Sequence, residues 1–429
     1  VARCLLTILI ILGAGIAGIA GEAFAATEVV GIRYWTAPDH TRIVIDLTRP
    51  STFTHRTLTD PHRVVIEIPG TVFVNKARRI KVNDGLIDRI RTNALRSGTA
   101  QIVVDLPRVP AYKTFALKKV KGKKDRIVID ILREVSEAER AAVRKRVTEL
   151  KRKNKAIVVI DPGHGGEDPG AVASGKVYEK NVVFQVCQEM VKLLEKDSHL
   201  EVFLTRKGDY SVSLAKRQQV ARQLEADLFM SVHANAAPAS KARGAEVFFL
   251  SMKGASDAAA KALAEAENEA DLVGGVSADA RGDIEAILFD LNREDALRKS
   301  SALAELVHDE LKRSNLTRIR KVKQARFAVL KTIEMPAVLV ELGFLSNSTD
   351  RRNLCKTSHQ KALAAALVAS IRRYFDRFPP GGTAVHVVAR GENLWRIARA
   401  HGVTVQDLRR LNDLGDSDRI LVGQKLRIQ

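Results

Sequence analysis

Ile157-Val158-Val159-Ile160-Asp161-Pro162-Gly163-His164-Gly165-Gly166 decides the fold. Four apolar, mostly β-branched residues predict a buried strand. The run stops in a Pro-Gly turn that presents His164, with two more glycines behind it. A strand end that delivers a histidine into a glycine loop is one way to build a metal or catalytic site. Taken alone, a solvated His164 is the plainer reading, so the residues downstream have to settle it.

Working outward, residues 156–378 alternate strands and helices. Glu179 to Lys196 carries Val183, Val186, Met190, Leu193 and Leu194 at helical spacing. Leu200 to Thr205 reads as a strand and Ser213 to Leu224 as a helix. Asp227 to His233 is a second strand ending in a histidine. Glu246 to Leu250 and Ala337 to Glu341 are further strands, Asp295 to Arg313 is a helix, and Ser358 to Phe375 is the closing helix. The pattern predicts an α/β domain with a mixed sheet and its site at strand carboxyl ends.

Three residues of this domain converge on one chemistry: His164 and His233 after strands, and Glu179 at a helix start. Two neutral imidazoles and a carboxylate are a ligand set for a hydrolytic zinc, with a fourth position left for water. Glu341 is a lone carboxylate in the apolar run Val338-Leu339-Val340-Glu341-Leu342. A charge there costs several kcal/mol unless it has a partner or a task, and a raised pKa would suit a general base. Each residue also has a plainer alternative. Glu179 could serve the helix dipole, and His233 could be a satisfied buried histidine.

The flanks differ in kind. From 27 to 133 one phrase recurs, as Arg42-Ile43-Val44-Ile45-Asp46-Leu47, Arg63-Val64-Val65-Ile66-Glu67-Ile68, Gln101-Ile102-Val103-Val104-Asp105-Leu106 and Arg126-Ile127-Val128-Ile129-Asp130-Ile131. Short strands between turn formers predict a β-sandwich without catalytic chemistry. This segment resembles the AMIN domain, a β-sandwich of exported proteins that targets them to the cell envelope or peptidoglycan. Residues 134–155 are dense in Glu, Arg and Lys and predict a charged, partly helical linker.

Pro379-Pro380-Gly381-Gly382 opens a second linker, 379–383. Residues 384–429 then read as strand, two short helices and strand, ending Val422-Gly423-Gln424-Lys425-Leu426. The segment resembles the LysM domain, which binds N-acetylglucosamine-containing glycans. Its usual Gly-Asp-Thr-Leu is Gly391-Glu392-Asn393-Leu394 here, which keeps the turn and makes Gly391 and Asn393 the candidate glycan contacts. Trp395 is expected in that module's core.

Arg3 precedes an apolar and glycine run from Cys4 to Gly21, and Ala23-Phe24-Ala25 supplies small residues before a cleavage site. Residues 1–26 therefore predict a secretory signal peptide, with an uncleaved anchor as the alternative. No later run approaches the ~18 apolar residues that span a bilayer, so the mature form is expected to lack a membrane span. The chain's 70 Lys and Arg against 50 Asp and Glu give a net charge of +20. That attracts a polyanion, and export to the periplasm disfavours nucleic acid and favours an anionic wall polymer. Cys4 leaves with the signal peptide, and Cys187 and Cys355 are expected as two buried free thiols.

Asp161-Pro162-Gly163-His164-Gly165-Gly166, Glu179-Lys180-Asn181, Ser231-Val232-His233-Ala234-Asn235-Ala236 and Val340-Glu341-Leu342-Gly343-Phe344-Leu345-Ser346-Asn347 stand in the order of the zinc-dependent N-acetylmuramoyl-L-alanine amidases, amidase 3 type. The resemblance covers some 220 residues, the α/β domain at 156–378. It implies that His164, Glu179 and His233 bind Zn2+, and that Glu341 is the catalytic acid/base. The bond cut would be the amide between N-acetylmuramic acid and L-alanine of the peptidoglycan stem peptide, during daughter-cell separation.

Residues 256–271 form an Ala- and Glu-rich stretch with Asp257 suited to a helix start. It could be a plain surface helix. Cell-division members of the family carry a helix here that plugs the active site until a LytM-type activator protein withdraws it. By that resemblance Glu267 is the candidate autoinhibitory ligand, with Glu269 as its rival. Two other functions stay open: a non-catalytic peptidoglycan-binding scaffold, and a zinc peptidase acting within the stem peptide.

Overall fold

The computed structural model describes residues 26–428, except 76, 77, 110, 121, 238–241, 277–291, 332–334, 380–384, 402, 413 and 416. All but the last residue of the 1–26 signal-peptide reading and all but the first residue of the 379–383 linker fall outside the described residues.

The first body is a sandwich. Its strands are β1 (Thr27–Thr36), β2 (His40–Leu47), β3 (Thr54–Thr59), β4 (His62–Ile68), β5 (Thr71–Phe73), β6 (Arg79–Lys81), β7 (Arg89–Leu95), β8 (Thr99–Asp105), β9 (Tyr112–Leu117) and β10 (Asp125–Leu132). They form two sheets, ordered β5-β1-β2-β10-β9 and β3-β4-β8-β7-β6. Neighbours run antiparallel except β1 and β5, which are parallel. The recurring phrase supplies β2, β10, β4 and β8, which lie inside their sheets. Its alternation explains why: Ile43, Ile45, Ile127 and Ile129 meet Val64, Ile66, Ile102 and Val104 in one core. Arg42, Asp46, Arg126 and Asp130 are thereby turned to the outer face of the first sheet.

The segment expected as a partly helical linker is a fully formed helix, α1 (Glu137–Arg152). Ser136 and Glu139 close a capping box at its start. Val147 and Leu150, three residues apart on one face, are buried among Ile157, Val159 and neighbouring apolar side chains. Those two residues are enough to dock it on the central sheet, so it is part of the catalytic body and not a free connector.

That body comprises β11 (Ala156–Pro162), β12 (Val172–Ala173), β13 (Val177–Tyr178), α2 (Glu179–Leu194), β14 (Leu200–Leu204), α3 (Leu214–Gln223), β15 (Leu228–Asn235), β16 (Glu246–Leu250), α4 (Ala258–Asn268), α5 (Ala270–Val273), α6 (Asn292–Ser314), β17 (Lys323–Ala325), β18 (Ala337–Phe344), α7 (Ser348–Leu354) and α8 (Thr357–Arg377). The sheet order is β14-β11-β15-β18-β16-β17. The first four strands are parallel, whereas β16 runs antiparallel to β18 and carries β17 alongside it. Helices α2, α6 and α8 cover one face and α1, α3 and α4 the other. Strands buried on both faces read as unbroken apolar runs, which is why Ile157 to Ile160 shows no alternation.

Cys187 is buried in α2, as expected. Cys355 is exposed, because α7 ends at Leu354 and leaves the thiol on the cap residue; both are free. The last body pairs β19 (Val385–Val387) antiparallel with β20 (Lys425–Arg427), with α9 (Leu394–His401) and α10 (Val405–Leu411) between them. Leu394, Ile397, Ala398, Leu408 and Leu426 make its core. Trp395, expected there, is 59% exposed. The core face of α9 is taken by Leu394 and by the residues three and four further on, and Trp395 is turned about 100° away. Among the described residues no helix is long and apolar enough to cross a membrane.

Candidate metal centre

Parallel pairing sets the geometry of the site. β11 lies beside β15 with Pro162 opposite Val232, and β15 lies beside β18 with His233 opposite Glu341. His164 follows β11 at φ 59°, a left-handed conformation rare for a residue with a side chain. Two glycines let the loop close on the cluster. A Cβ on Gly163 would lie 2.4 Å from the His233 ring, and one on Gly170 would lie 2.5 Å from Glu179 Oε2 and 2.6 Å from His164 Cδ2.

The loop is held from behind by two buried arginines. Arg217 Nη1 donates to Asp161 at 2.6 Å and to the Pro162 carbonyl at 2.7 Å, and its Nη2 donates to the His164 carbonyl at 2.8 Å. Arg206 donates to the carbonyls of Pro162 and Gly163 at 3.0 and 2.9 Å. Ser231 Oγ donates to the other Asp161 oxygen at 2.7 Å.

His164, Glu179 and His233 each offer a ligand atom within 4.8 Å of the others, and all three are buried. Glu179 Oε1 lies 3.0 Å from His164 Nε2 and 3.2 Å from His233 Nδ1. The backbone fixes this carboxylate: Ala234 N donates to Oε1 and Ala171 N to Oε2, both at 2.8 Å. The far side of the His164 ring meets Asp168, with Nδ1 and Oδ2 2.7 Å apart. A carboxylate there selects the tautomer that leaves Nε2 as the lone-pair nitrogen. Among the described residues that nitrogen is buried without an aligned hydrogen bond. Two imidazole nitrogens and one carboxylate oxygen, so oriented, fit zinc.

The electrostatics agree. Burial opposes protonation of His164, but the carboxylates of Asp168, Glu179 and Glu267 overcome it and raise its pKa well above the usual range. Burial likewise opposes the charge on His233, and Glu267 with Glu179 lifts it to about 10. Burial opposes ionisation of Glu179, yet the His164 charge and the hydrogen bonds of both histidines hold it below the usual carboxylate range. Carboxylates gathered around two buried imidazoles in this way favour positive charge at the site.

Glu341 is fully buried, and neither of its oxygens has a hydrogen-bond partner among the described residues. Burial raises its pKa well above the ordinary value; His233 opposes this, while Glu179, Glu267 and Glu246 reinforce it. His233, Glu267 and Glu341 also bring ligand atoms within 4.8 Å of one another. Glu267, near the end of α4, places Oε2 3.2 Å from His233 Nδ1 and 3.4 Å from His164 Nε2. Its rival Glu269 is the residue between α4 and α5 and is not in either cluster. Asn268 ties the segment to the Arg326 carbonyl and the Ala328 amide at 3.0 and 2.6 Å, and Asp271 accepts from Leu214 N at 2.9 Å.

The sequence reading missed Asp168, Arg206 and Arg217. Asp168 had a signal, four residues after His164 in the same glycine loop. In the C-terminal module Gly391 takes φ 87°, and Asn393 caps α9 by accepting from Arg396 N at 2.9 Å. Both thus have structural work at the positions proposed to touch glycan.

Two imidazoles at strand ends and a carboxylate at a helix start, with a second buried carboxylate beside them, define the class of metal-dependent hydrolases. The family model described as N-acetylmuramoyl-L-alanine amidase matches residues 158–373, the AMIN domain model 31–131 and the LysM domain model 386–429. Over 376 residues the chain is 32% identical to N-acetylmuramoyl-L-alanine amidase AmiC of Escherichia coli, covering 82% of this chain and 90% of that relative. It is 32% identical over 388 residues to AmiC of Neisseria meningitidis, covering 84% and 93%. The catalytic domain of CwlV, an amidase from Bacillus (Paenibacillus) polymyxa, is similar over 52% of this chain and 98% of its own, at 27% identity and a TM-score of 0.40. The chain belongs to the N-acetylmuramoyl-L-alanine amidases, enzymes that cleave peptidoglycan, and carries AMIN and LysM domains on either side of the catalytic one.

Proposed function

We propose that this amidase is an exported, zinc-dependent enzyme of the periplasm, held inactive by its own α4–α5 segment until an activator withdraws it. The position of Glu267 Oε2, within 3.4 Å of a ligand nitrogen on both histidines, carries this reading. A carboxylate there takes the open position of a three-ligand site. His164, Glu179 and His233 hold the metal, and Glu341 carries the proton.

Zinc, when bound, supplies Lewis acidity toward the lactyl carbonyl of muramic acid and lowers the pKa of water toward ~7. A divalent charge held by these ligands would favour the ionised form of Glu341, whose ionisation burial opposes. Glu341 then takes the proton of the attacking water and returns it to the departing L-alanine amine. Asp168 keeps the His164 ring in one tautomer throughout. The products are a stem peptide with a free L-alanine amine and a denuded glycan strand.

The sandwich at 27–133 and the module at 384–429 serve as envelope-targeting and glycan-binding units around the catalytic domain at 156–378. The charge of +20 favours adhesion to an anionic wall, with screening by salt. Daughter-cell separation and a LytM-type activator complete the proposal. It is tested by mass spectrometry of sacculi digested with zinc-loaded protein lacking 1–26, with and without residues 257–271. Intact stem peptides with free L-alanine amines, chiefly from the deleted form, are expected. Cuts within the stem would mean a peptidase. No products from either folded, zinc-bound form would mean a scaffold.

A further inference from the structure

The two outer faces of the AMIN sandwich carry the same phrase and satisfy it differently. On the second sheet the charges pair among themselves: Arg91 and Arg89 hold Asp105, and Arg56 holds Glu67. On the first sheet Arg126 lies opposite Asp46 in register, but Asp46 is already taken by Arg33 at 2.6 Å. Arg126 leaves the sandwich instead. Its Nη1 donates to Glu167 Oε1 at 2.9 Å and to the Val273 carbonyl at 3.1 Å.

Glu167 belongs to the metal loop, between His164 and Asp168. Val273 ends the inhibitory segment. One buried guanidinium therefore bridges the two. Arg42 adds a second hold on the segment, donating from Nη1 to the Gly274 carbonyl at 2.5 Å while its Nε and Nη2 stay on Asp130 at 2.7 Å. The fit is tight: a Cβ on Gly275 would come within 3.2 Å of both Arg42 Nη1 and Leu117 Cδ1. Lys123 donates to the Glu167 carbonyl at 2.7 Å, and Arg33 Nη2 reaches past Asp46 to donate to Glu167 Oε1 at 3.0 Å.

These contacts place the carbonyls that end α5 against donors from another domain. If the sandwich departs, both carbonyls lose a charged donor, and hydrogen bonds to charged groups are the stronger kind. If the segment departs, Arg42 and Arg126 lose the same partners. Coupling of this form is reciprocal.

We propose that the outer face of the first AMIN sheet is a docking surface for the chain's own inhibitory segment, latching its C-terminal end, so that undocking of the sandwich and withdrawal of Glu267 are coupled. This rests on the autoinhibition reading above. An activator that grasps the sandwich would then loosen the plug without touching the metal site.

The test uses the full zinc-loaded chain and two variants on the sandwich side, Arg126→Met and Arg42→Lys. The second keeps a cation for Asp130. Hydrogen exchange is followed in peptides covering residues 257–276, together with stem-peptide release from sacculi. Exchange there is expected to rise about tenfold for each donor lost, with β4 and β8 at parental rates and hydrolysis increased. Parental exchange across 257–276 in both variants, with the second sheet intact, overturns the latch. Faster exchange with hydrolysis unchanged, in these variants and in Glu267→Ala alike, keeps the latch and overturns autoinhibition instead. Should Arg126→Met disturb β4 and β8 as well, Arg42→Lys decides.

Discussion

Glu179 and Glu267 offer carboxylates to the same two imidazoles, and they are held in opposite ways. Both oxygens of Glu179 accept backbone amides, and its side chain starts a helix packed under the sheet. Glu267 Oε2 is buried beside the two histidines and, among the described residues, has no aligned hydrogen bond. Its segment is fastened toward its C-terminal end, through Asn268, Asp271 and the carbonyls of Val273 and Gly274. A carboxylate built into backbone is a resident ligand. Under the proposed autoinhibition, one carried on a segment held by side chains and single carbonyls is the ligand that leaves, and the difference would separate catalysis from control within one cluster.

Substitutions of the two glutamates should therefore diverge. Glu179→Ala is expected to lose zinc in elemental analysis and to lower hydrolysis about a thousandfold, since the Lewis acid goes with the ligand. Retention of full zinc content would assign the resident position elsewhere. Glu341→Gln should keep its zinc yet lose about a hundredfold or more in turnover, the usual scale of a general acid/base. Equal loss of metal would make Glu341 a ligand and blur the contrast. Asp168→Asn sharpens it from behind: a ten- to hundredfold weaker zinc affinity in chelator competition is expected of such a partner, with Glu267 untouched.

The smallest effect is one of pH. In the metal-free protein His233 is lifted to about 10 by Glu267 and Glu179 against its burial. A raised histidine pKa stabilises the fold fully below the ordinary value of 6.5 and loses that contribution as pH climbs through 10. The metal-free Tm should thus fall between pH 7 and 10, whereas the zinc-loaded Tm, its histidines already neutral, should not share that decline. Parallel profiles would remove the proton-for-metal exchange from the account.

Much of this site was legible because strand ends and lone charges leave local marks. His164 and His233 follow apolar strand runs, and Glu341 interrupts one. Glu267 was readable only through resemblance, since nothing in an Ala-Glu helix marks which glutamate faces inward. The roles of Arg206 and Arg217 depend on sheet closure that carries them back to the 162–164 carbonyls, and no local pattern records that. The same holds for α1. Its composition reads as a solvated linker, but Val147 and Leu150 share one face and suffice to dock it. Trp395 shows the converse, a large apolar residue displaced from the core because Leu394 sets the phase of its helix.

The most direct test measures stem-peptide release from sacculi by the wild-type chain and by Glu267→Ala, both zinc-loaded and matched for metal content, without any activator. The account predicts several-fold or greater release by the variant at equal zinc. Equal release from two equally folded, equally loaded proteins would contradict it, and Glu267 would then be a neighbour of the metal centre and not its gate.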